Sequence, residues 1–426
     1  VTGAADSGAA AAPALAAAEW LRAGPLARLL AVLNGDGEEA RVVGGAVRNT
    51  LLGLPPGDVD VATTALPQEV TRRVQAAGMK PVPTGIEHGT VTVVVDGHPF
   101  EVTTLREDVE TFGRKATVRF GRDWKADAER RDFTINALSV AADGAVSDYV
   151  EGLRDLRVRR VRFIGDPGRR IREDYLRILR FFRFHASYGA GEPDPASLQA
   201  CIVERGGLGQ LSRERVRMEL IKLLVAPRAA PVLTVMADTG LLVTVLAGVP
   251  NVAHFEAMAR SEASLGLAPD AVRRLAALAV LTTEDAERLW QRLRLSNVEH
   301  ERLASMADRW WSIAPSADPV VRPLLYGLGP DQFADRVLLA WARSRAAPDD
   351  PGWRALVSLP RRWQAPRFPL KARDFMQRGL EGPQLGAALR AAEAAWIAAD
   401  FPGDATALER IADDAAGGSS RAQGST

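Results

Sequence analysis

The chain has 426 residues, enough for about three folding units of ordinary size, so a single small module is excluded. Hydrophobic residues make up 47% and charged residues 25%, a composition that supports a large core rather than disorder, and no run approaches the ~20 apolar residues of a membrane span. Lys+Arg 54 against Asp+Glu 53 gives a formal net charge of +1, so the whole molecule is no polycation, and the single cysteine, Cys201, excludes an internal disulfide and a cysteine-based zinc cluster.

A chain with one cysteine is expected in a reducing, cytoplasmic setting. Residues 1–19 are Ala-rich without the basic start and apolar core of a signal peptide, and are expected to be a disordered leader. Leu21, Leu26, Leu29, Leu30 and Leu33 recur at helical spacing over 20–35. Arg41-Val42-Val43-Gly44-Gly45 reads as a strand running into a glycine turn, with a helix over 46–52 after it. Asp58-Val59-Asp60-Val61-Ala62 alternates with period two, the pattern of a half-buried strand. A helix over 67–77, strands over 91–95 and 100–104 joined by an Asp96-Gly97 turn, and a segment over 137–140 before a turn at Asp143-Gly144 complete an α/β head of residues 20–150 around one sheet.

Beyond Pro167 strand signals fade. Residues 171–187, 213–225, 229–239, 271–281 and 285–293 carry apolar residues at three-to-four spacing, and breaks are expected near 315–319 and 348–366. The Gly/Ser-rich residues 415–426 are expected to be disordered. The fold class is therefore α+β, a mixed-sheet head followed by an all-helical remainder. Between Glu151 and His185 eleven arginines stand against five acids, a local excess of six positive charges. Arginine suits bidentate contact with phosphates and bases; a codon bias with solvated helix faces accounts for arginine over lysine but not for the clustering.

Asp58 and Asp60, two apart on a strand, project their carboxylates from one face, about 7 Å apart at the α-carbons. Like charges so placed repel unless a cation lies between them, and hard divalent ions such as Mg²⁺ take carboxylate oxygens and share them with substrate phosphates. Glu101, on the following hairpin, is a candidate third carboxylate. Upstream, Gly44 and Gly45 let backbone N–H groups approach an anion at a helix start, with Arg48 in its first turn. A phosphate cradle beside a metal-binding pair points to a nucleoside triphosphate, although no Walker Gly-Lys-Ser/Thr follows. Asp-x-Asp alone fits a solvated turn better than a metal site.

Gly44-Gly45-Ala46-Val47-Arg48, Asp58-Val59-Asp60, Arg130-Arg131-Asp132-Phe133-Thr134-Ile135-Asn136-Ala137, and Glu173-Asp174-Tyr175-Leu176-Arg177 with Arg180 and Arg183-Phe184 resemble, in order, the motifs of the class II tRNA nucleotidyltransferase and poly(A) polymerase family. Phe100-Glu101-Val102-Thr103-Thr104-Leu105-Arg106, Ser212-Arg213-Glu214-Arg215 and Gly382-Pro383-x-Leu385-Gly386 extend the likeness over nearly the whole chain. The resemblance implies a catalytic head (20–150), a neck that binds base and RNA (151–228) and a tRNA-binding body and tail (229–414). It implies that Asp58 and Asp60 hold two Mg²⁺ ions, and that Gly44, Gly45 and Arg48 hold the triphosphate of CTP or ATP. By the same likeness Arg131, Asp132 and Asn136 meet phosphate and ribose, and Asp174, Arg177, Arg180 and Arg183 join the nucleotide contacts. The expected partner is the tRNA acceptor stem and 3′ end, with neither a membrane nor DNA. One departure is Asn49, where the family commonly has aspartate. The segment 105–127 resembles the flexible loop of an enzyme able to add A, and the lack of a long basic extension after the tail is expected of a tRNA enzyme rather than a poly(A) polymerase.

The nucleotide choice follows from hydrogen-bond inventory. Asp174 and Arg177, three apart on a helix, would share a face. Aspartate accepts and arginine donates, so the pair complements the amine donor and ring-nitrogen acceptor of cytosine and adenine and opposes uracil and guanine. An isolated Asp-x-x-Arg is otherwise an ordinary surface ion pair. The histidines (88, 98, 185, 254, 300) have no paired ligand spacing, and Phe181-Phe182 and Trp310-Trp311 could stack on bases but, as helical aromatic residues, fit a core better. The expected activity is CCA addition to tRNA; poly(A) polymerase, partial CC- or A-adding activity and a non-catalytic tRNA-binding protein are the competing readings.

Overall fold

A computed structural model describes residues 10–11, 13–85, 89–112 and 115–421; His88, much of the expected leader and residues 422–426 lie outside them. The chain divides into two compact units, Val1–Val245 and Leu246–Thr426.

In the first unit, β1 (Ala10–Ala11), β2 (Ala40–Val43), β3 (Asp60–Thr63), β4 (Lys80–Gly85), β5 (Thr90–Val95), β6 (His98–Thr104), β7 (Arg106–Phe112), β8 (Lys115–Phe120), β9 (Ser139–Val140) and β10 (Ala145–Ser147) are the strands. Eight form one sheet in the order β1-β10-β9-β2-β3-β6-β5-β4, and β7 and β8 form a separate ribbon. β3 and β6 run parallel, the chain between them passing through the helix Pro67–Ala76 and then β4 and β5, while the other pairs are antiparallel. Period-two patterning sets the inner face, with Val91, Val93 and Val95 of β5 and Phe100 and Val102 of β6 buried. Asp96 and Gly97 both take positive φ, 50° and 82°, as the two-residue turn requires.

Several boundaries differ from the sequence reading for identifiable reasons. β3 begins at Asp60, which pairs with Val43, the last residue of β2 before Gly44 (φ 73°) turns the chain away. Asp58 therefore has no ladder partner on that side and sits in the bend before the strand. β4 escaped notice because Pro81 and Pro83 interrupt it, and as an edge strand paired only with β5 it tolerates them. Residues 137–140 shorten to β9 because Thr134–Asn136 form a 3₁₀ turn. Within the described part of the expected leader, Pro13–Ala16 form a short helix with Leu15 fully buried, and the helix Glu19–Arg22 follows with Leu21 fully buried.

The expected helix over 171–187 is two helices, Pro167–Glu173 and Leu176–Tyr188, separated at Asp174, whose backbone is extended (φ −156°, ψ 106°). The second packs against the head through aromatic rings. Phe133 lies 4.9 Å from Phe163 and 5.2 Å from Phe184, and Phe163 stacks on Phe181 at 5.7 Å between centroids. Phe181 and Phe182 are thus core residues, not base-stacking platforms. His185 is buried beside them with Nε2 3.3 Å from the Gly191 carbonyl, and burial, aided by Arg228 and opposed by the Gly191 contact and Glu192, holds its pKa below 6.5. Its neutral form is the stable one, so His185 contributes stability above the unfolded value of 6.5 that is lost as pH falls through its lower folded pKa. Urea midpoints from pH 7.5 to 5.5 should fall more steeply for the wild type than for His185→Gln, by at most about 1.4 kcal/mol per pH unit; parallel curves would show that His185 does not titrate on unfolding.

In the second unit all regular structure among the described residues is helical. Its buried charges are paired: Glu262 accepts from Arg274 at 2.8 Å and Arg273 at 3.1 Å, and Asp335 accepts from Arg302 at 2.8 Å. The expected break over 348–366 contains a helix, Pro351–Arg362, started by proline in its first turn and by Asp350, whose side chain accepts from the Trp353 N–H at 3.0 Å. Residues 415–421, expected to be disordered, continue the helix Ala405–Arg421, because Ile411, Ala412 and Ala415 pack on a core with Phe375 and Trp396. No helix among the described residues is long and apolar enough to cross a membrane.

Candidate active site

The sheet register places Asp60 beside Glu101 on the parallel strand β6, with Asp58 just upstream. Asp60 is open to solvent on one side. The protein around it still removes enough water to push its carboxyl above the usual aspartate range, repulsion from Glu101 and Asp58 adds to this, and Arg131 pulls the other way. Such a cluster suits a divalent cation. Among the described residues no group of three or more His, Cys, Asp or Glu is arranged to hold a metal alone, so a cation at Asp58 and Asp60 would need further oxygens, of the kind a triphosphate carries.

Asp58 and Asp60 line a cleft of about 680 Å³ together with Gly44, Gly45, Arg48, Arg131, Asp132 and Asn136 from the head and Asp174, Arg177, Arg180, Arg183 and Arg215 from the neck helices. Every candidate site residue except Glu101 is there; Glu101 acts on Asp60 through charge. The cleft carries six arginines against four aspartates, the balance a polyanion favours.

Gly44 suits its place because its φ of 73° is left-handed, and the Arg131 guanidinium lies close by, 3.2 Å from where a Cβ would stand. Arg48 is buried, donates to Asn136 Oδ1, to Asn49 Oδ1 at 2.8 Å and to Tyr188 Oη at 2.8 Å, and lies 3.8 Å over the Tyr188 ring. These partners are neutral, so burial lowers its pKa and its charge stays available to an anion. Asn49, the departure from the family pattern, also donates to the Pro55 carbonyl at 3.2 Å, tying Arg48 to the turn that leads to Asp58. A carboxylate at position 49 could keep the first contact but not the second.

Asn136 donates to Asp132 Oδ1 at 3.0 Å, and Arg180 grips Asp132 Oδ2 through two nitrogens, at 2.8 and 2.5 Å. Burial alone would raise the pKa of Asp132; the Arg180 charge and hydrogen bonds from Asn136, Arg180 and the Phe133 N–H outweigh it and keep the carboxylate ionised. Arg48, Asn136, Asp132 and Arg180 thus form one chain of contacts from head to neck.

Asp174 and Arg177 both line the cleft but do not pair with each other. Arg177 donates to Glu173 at 2.5 Å and to the Arg170 carbonyl at 2.6 Å, whereas Asp174 pairs with Arg215 at 2.6 Å. Arg183 pairs with Glu219 and lies 4.3 Å over the Phe184 ring. The arginine cluster is less free than its composition implies. Arg154, Arg160, Arg162, Arg169, Arg170, Arg172, Arg177, Arg180 and Arg183 make ion pairs, while Arg157 and Arg159 are exposed outside those pairs.

Sequence reasoning gave no site role to Tyr188, Glu173, Glu219 or Arg215. Phe184 and Tyr188 are four apart on a helix and so share a face, which was a usable signal for a shared aromatic wall. Contacts from Arg215 to Asp174 and from Glu219 to Arg183 join residues 36 or more apart in the chain and have no local signature.

Two family models match the chain: the poly A polymerase head domain over residues 40–162, and a module described as "Probable RNA and SrmB- binding site of polymerase A" over 192–255. The mitochondrial CCA tRNA nucleotidyltransferase 1 of Danio rerio is 37% identical over 84% of this chain and 83% of its own length. The CCA-adding enzyme of Geobacillus thermodenitrificans is 43% identical over 49% of this chain and 51% of its own. The crystal structure of the Bacillus stearothermophilus CCA-adding enzyme in complex with CTP aligns with a TM-score of 0.74 and 27% identity, covering 94% of this chain and 98% of that one. By these likenesses, which run through both the head and the helical remainder, the chain belongs to the class II tRNA nucleotidyltransferase and poly(A) polymerase family, as a nucleotidyltransferase of the CCA-adding kind.

Proposed function

We propose that the protein builds or repairs the tRNA 3′ end, adding C, C and A in turn from CTP and ATP without a nucleic-acid template and releasing pyrophosphate. The observation that carries this reading is the single cleft that joins the Asp58–Asp60 carboxylates of the head to Asp174 and Arg177 of the neck.

Arg48 and the Gly44-Gly45 backbone hold the triphosphate, with Arg131 close to Gly44. Asp132 positions Arg180 and Asn136 positions Arg48, so the two motifs orient the nucleotide as one unit. Asp58 and Asp60 would hold Mg²⁺ together with the triphosphate oxygens, and the chemistry such ions would supply is stabilisation of the attacking and leaving oxygens in an in-line displacement. Asp174 accepts from the exocyclic amine of C or A and Arg177 donates to the ring nitrogen. The exposed Arg157 and Arg159 offer charge to tRNA phosphates. A reducing, cytoplasmic setting suits Cys201, which is buried and unpaired.

The test is incubation of tRNA lacking its 3′ CCA with each NTP singly and with CTP and ATP together, in Mg²⁺. Two additions from CTP, one further addition from ATP and none from UTP or GTP are expected. Long runs of A from ATP alone would make the protein a poly(A) polymerase, and tRNA binding without incorporation would make it a non-catalytic binder.

A further inference from the structure

We propose that Arg215 is a specificity-setting residue of the nucleotide cleft: by gripping one oxygen of Asp174 it holds that carboxylate where it accepts from an exocyclic amine and repels a carbonyl. This rests on the reading that Asp174 and Arg177 meet the base edge.

Asp174 lies in the break between two helices, with φ −156° and ψ 106°, so no helical turn fixes its side chain. The terminal torsion of an aspartate is broad, and a carboxylate that swings freely discriminates poorly between a donor and an acceptor. In this structure both oxygens are engaged: Oδ2 accepts from Arg215 Nη2 at 2.6 Å, and Oδ1 accepts from the Leu176 N–H at 3.1 Å. Two donors from different elements set the plane of the group, and each oxygen keeps a second lone pair for the base. Arg215, from the helix Arg213–Leu224, lines the same cleft as Asp174 and also a second cleft beside it of about 1060 Å³, again with Asp174 in its wall. It therefore stands at the nucleotide and not in the core, where a structural ion pair would be hidden. Arg177 has separate anchors in Glu173 and the Arg170 carbonyl, so Arg215 orients one member of the reading pair without disturbing the other. Arg215 is thus a positioning residue, acting on the base through Asp174.

The experiment is single-nucleotide incorporation of all four NTPs on tRNA lacking its 3′ CCA by Arg215→Met, Arg215→Lys and Asp174→Ala, with melting curves for each. For Arg215→Met, kcat/KM for CTP should fall and the UTP-to-CTP ratio should rise roughly tenfold, with Arg215→Lys between it and wild type. Should Arg215→Met fail to fold, the ratio in Arg215→Lys carries the test. An equal loss with all four NTPs, leaving the ratio unchanged, would overturn the proposal and leave the pair a structural one. A changed ratio in Asp174→Ala without a change in the Arg215 variants sinks the role of Arg215 and spares the base reading; no change in any variant sinks both.

Discussion

Asp60→Asn is expected to lose nucleotide addition by at least about 10³-fold, because the variant gives up a ligand to ions that stabilise transition-state charge, while melting at or above the wild-type temperature. The stability half of this follows from sign. The folded protein holds the Asp60 carboxyl above its ordinary value of 3.8, first through desolvation and then through Glu101 and Asp58. A raised carboxylate pKa means that ionisation costs stability at every pH above the folded value, and the cost is relieved as pH falls through it. A neutral amide removes the cost at all pH values. Mg²⁺ with CTP should raise the wild-type melting temperature more than that of the variant, since wild type alone has the carboxylate to pair. Thermal melts with and without Mg²⁺–CTP, beside incorporation assays on protein free of wild-type contamination, check both halves. A strongly destabilised Asp60→Asn would mean that the carboxylate is a structural partner, and substantial Mg²⁺-dependent incorporation would remove it from the metal site.

The second large effect is on nucleotide choice. Arg177→Ala should damage CTP and ATP use together, because both bases present the same ring-nitrogen acceptor. Asp174→Ala should lower the overall rate and relax discrimination against UTP and GTP. A mismatched or unpaired buried polar group costs ~1–3 kcal/mol, or about 5- to 150-fold in selectivity. The structure sharpens this expectation. Removing Asp174 also releases Arg215, whose half-open guanidinium then stands in the cleft as a donor that a carbonyl of U or G can use. The UTP and GTP rates of Asp174→Ala should therefore gain on those for CTP and ATP beyond the loss of repulsion alone. Single-nucleotide incorporation on tRNA ending before the first C measures it, and an unchanged preference for C and A in a folded Asp174 variant would show that the base is read elsewhere.

The chemistry-bearing residues were legible in the sequence because each stands in a short local pattern: glycines before a helix, two aspartates with period-two spacing, an arginine-rich motif, an acid-x-x-arginine. The cleft collects all of them except Glu101, which the register sets beside Asp60 and outside the lining. Less legible was how they are held. The break at Asp174 was hidden inside one continuous helical period, Leu176–Tyr188 taking up the same apolar rhythm that Pro167–Glu173 begins. The strand around Asp58 was read two residues too long, since only the pairing with β2 reveals that the ladder ends at Val43. Composition alone marks residues 13–16 as part of a disordered leader, but they form a short helix that buries Leu15. The arginine cluster looked like free charge until the acids outside it that pair with four of its arginines, Asp132, Asp194, Glu204 and Glu219, could be seen.

The ring cluster around Phe133 also fixes where the gene can be cut. Phe133 has no exposed surface, yet the rings that cover it, Phe163, Phe181 and Phe184, are all encoded beyond residue 150. A fragment ending with the last strand at Ser147 would carry the aspartate pair but bare an aromatic face to water. It would also strip Asp132 of Arg180 and Arg48 of Tyr188. Cut there, the head would lose these contacts; the first compact unit, which keeps them, runs to Val245.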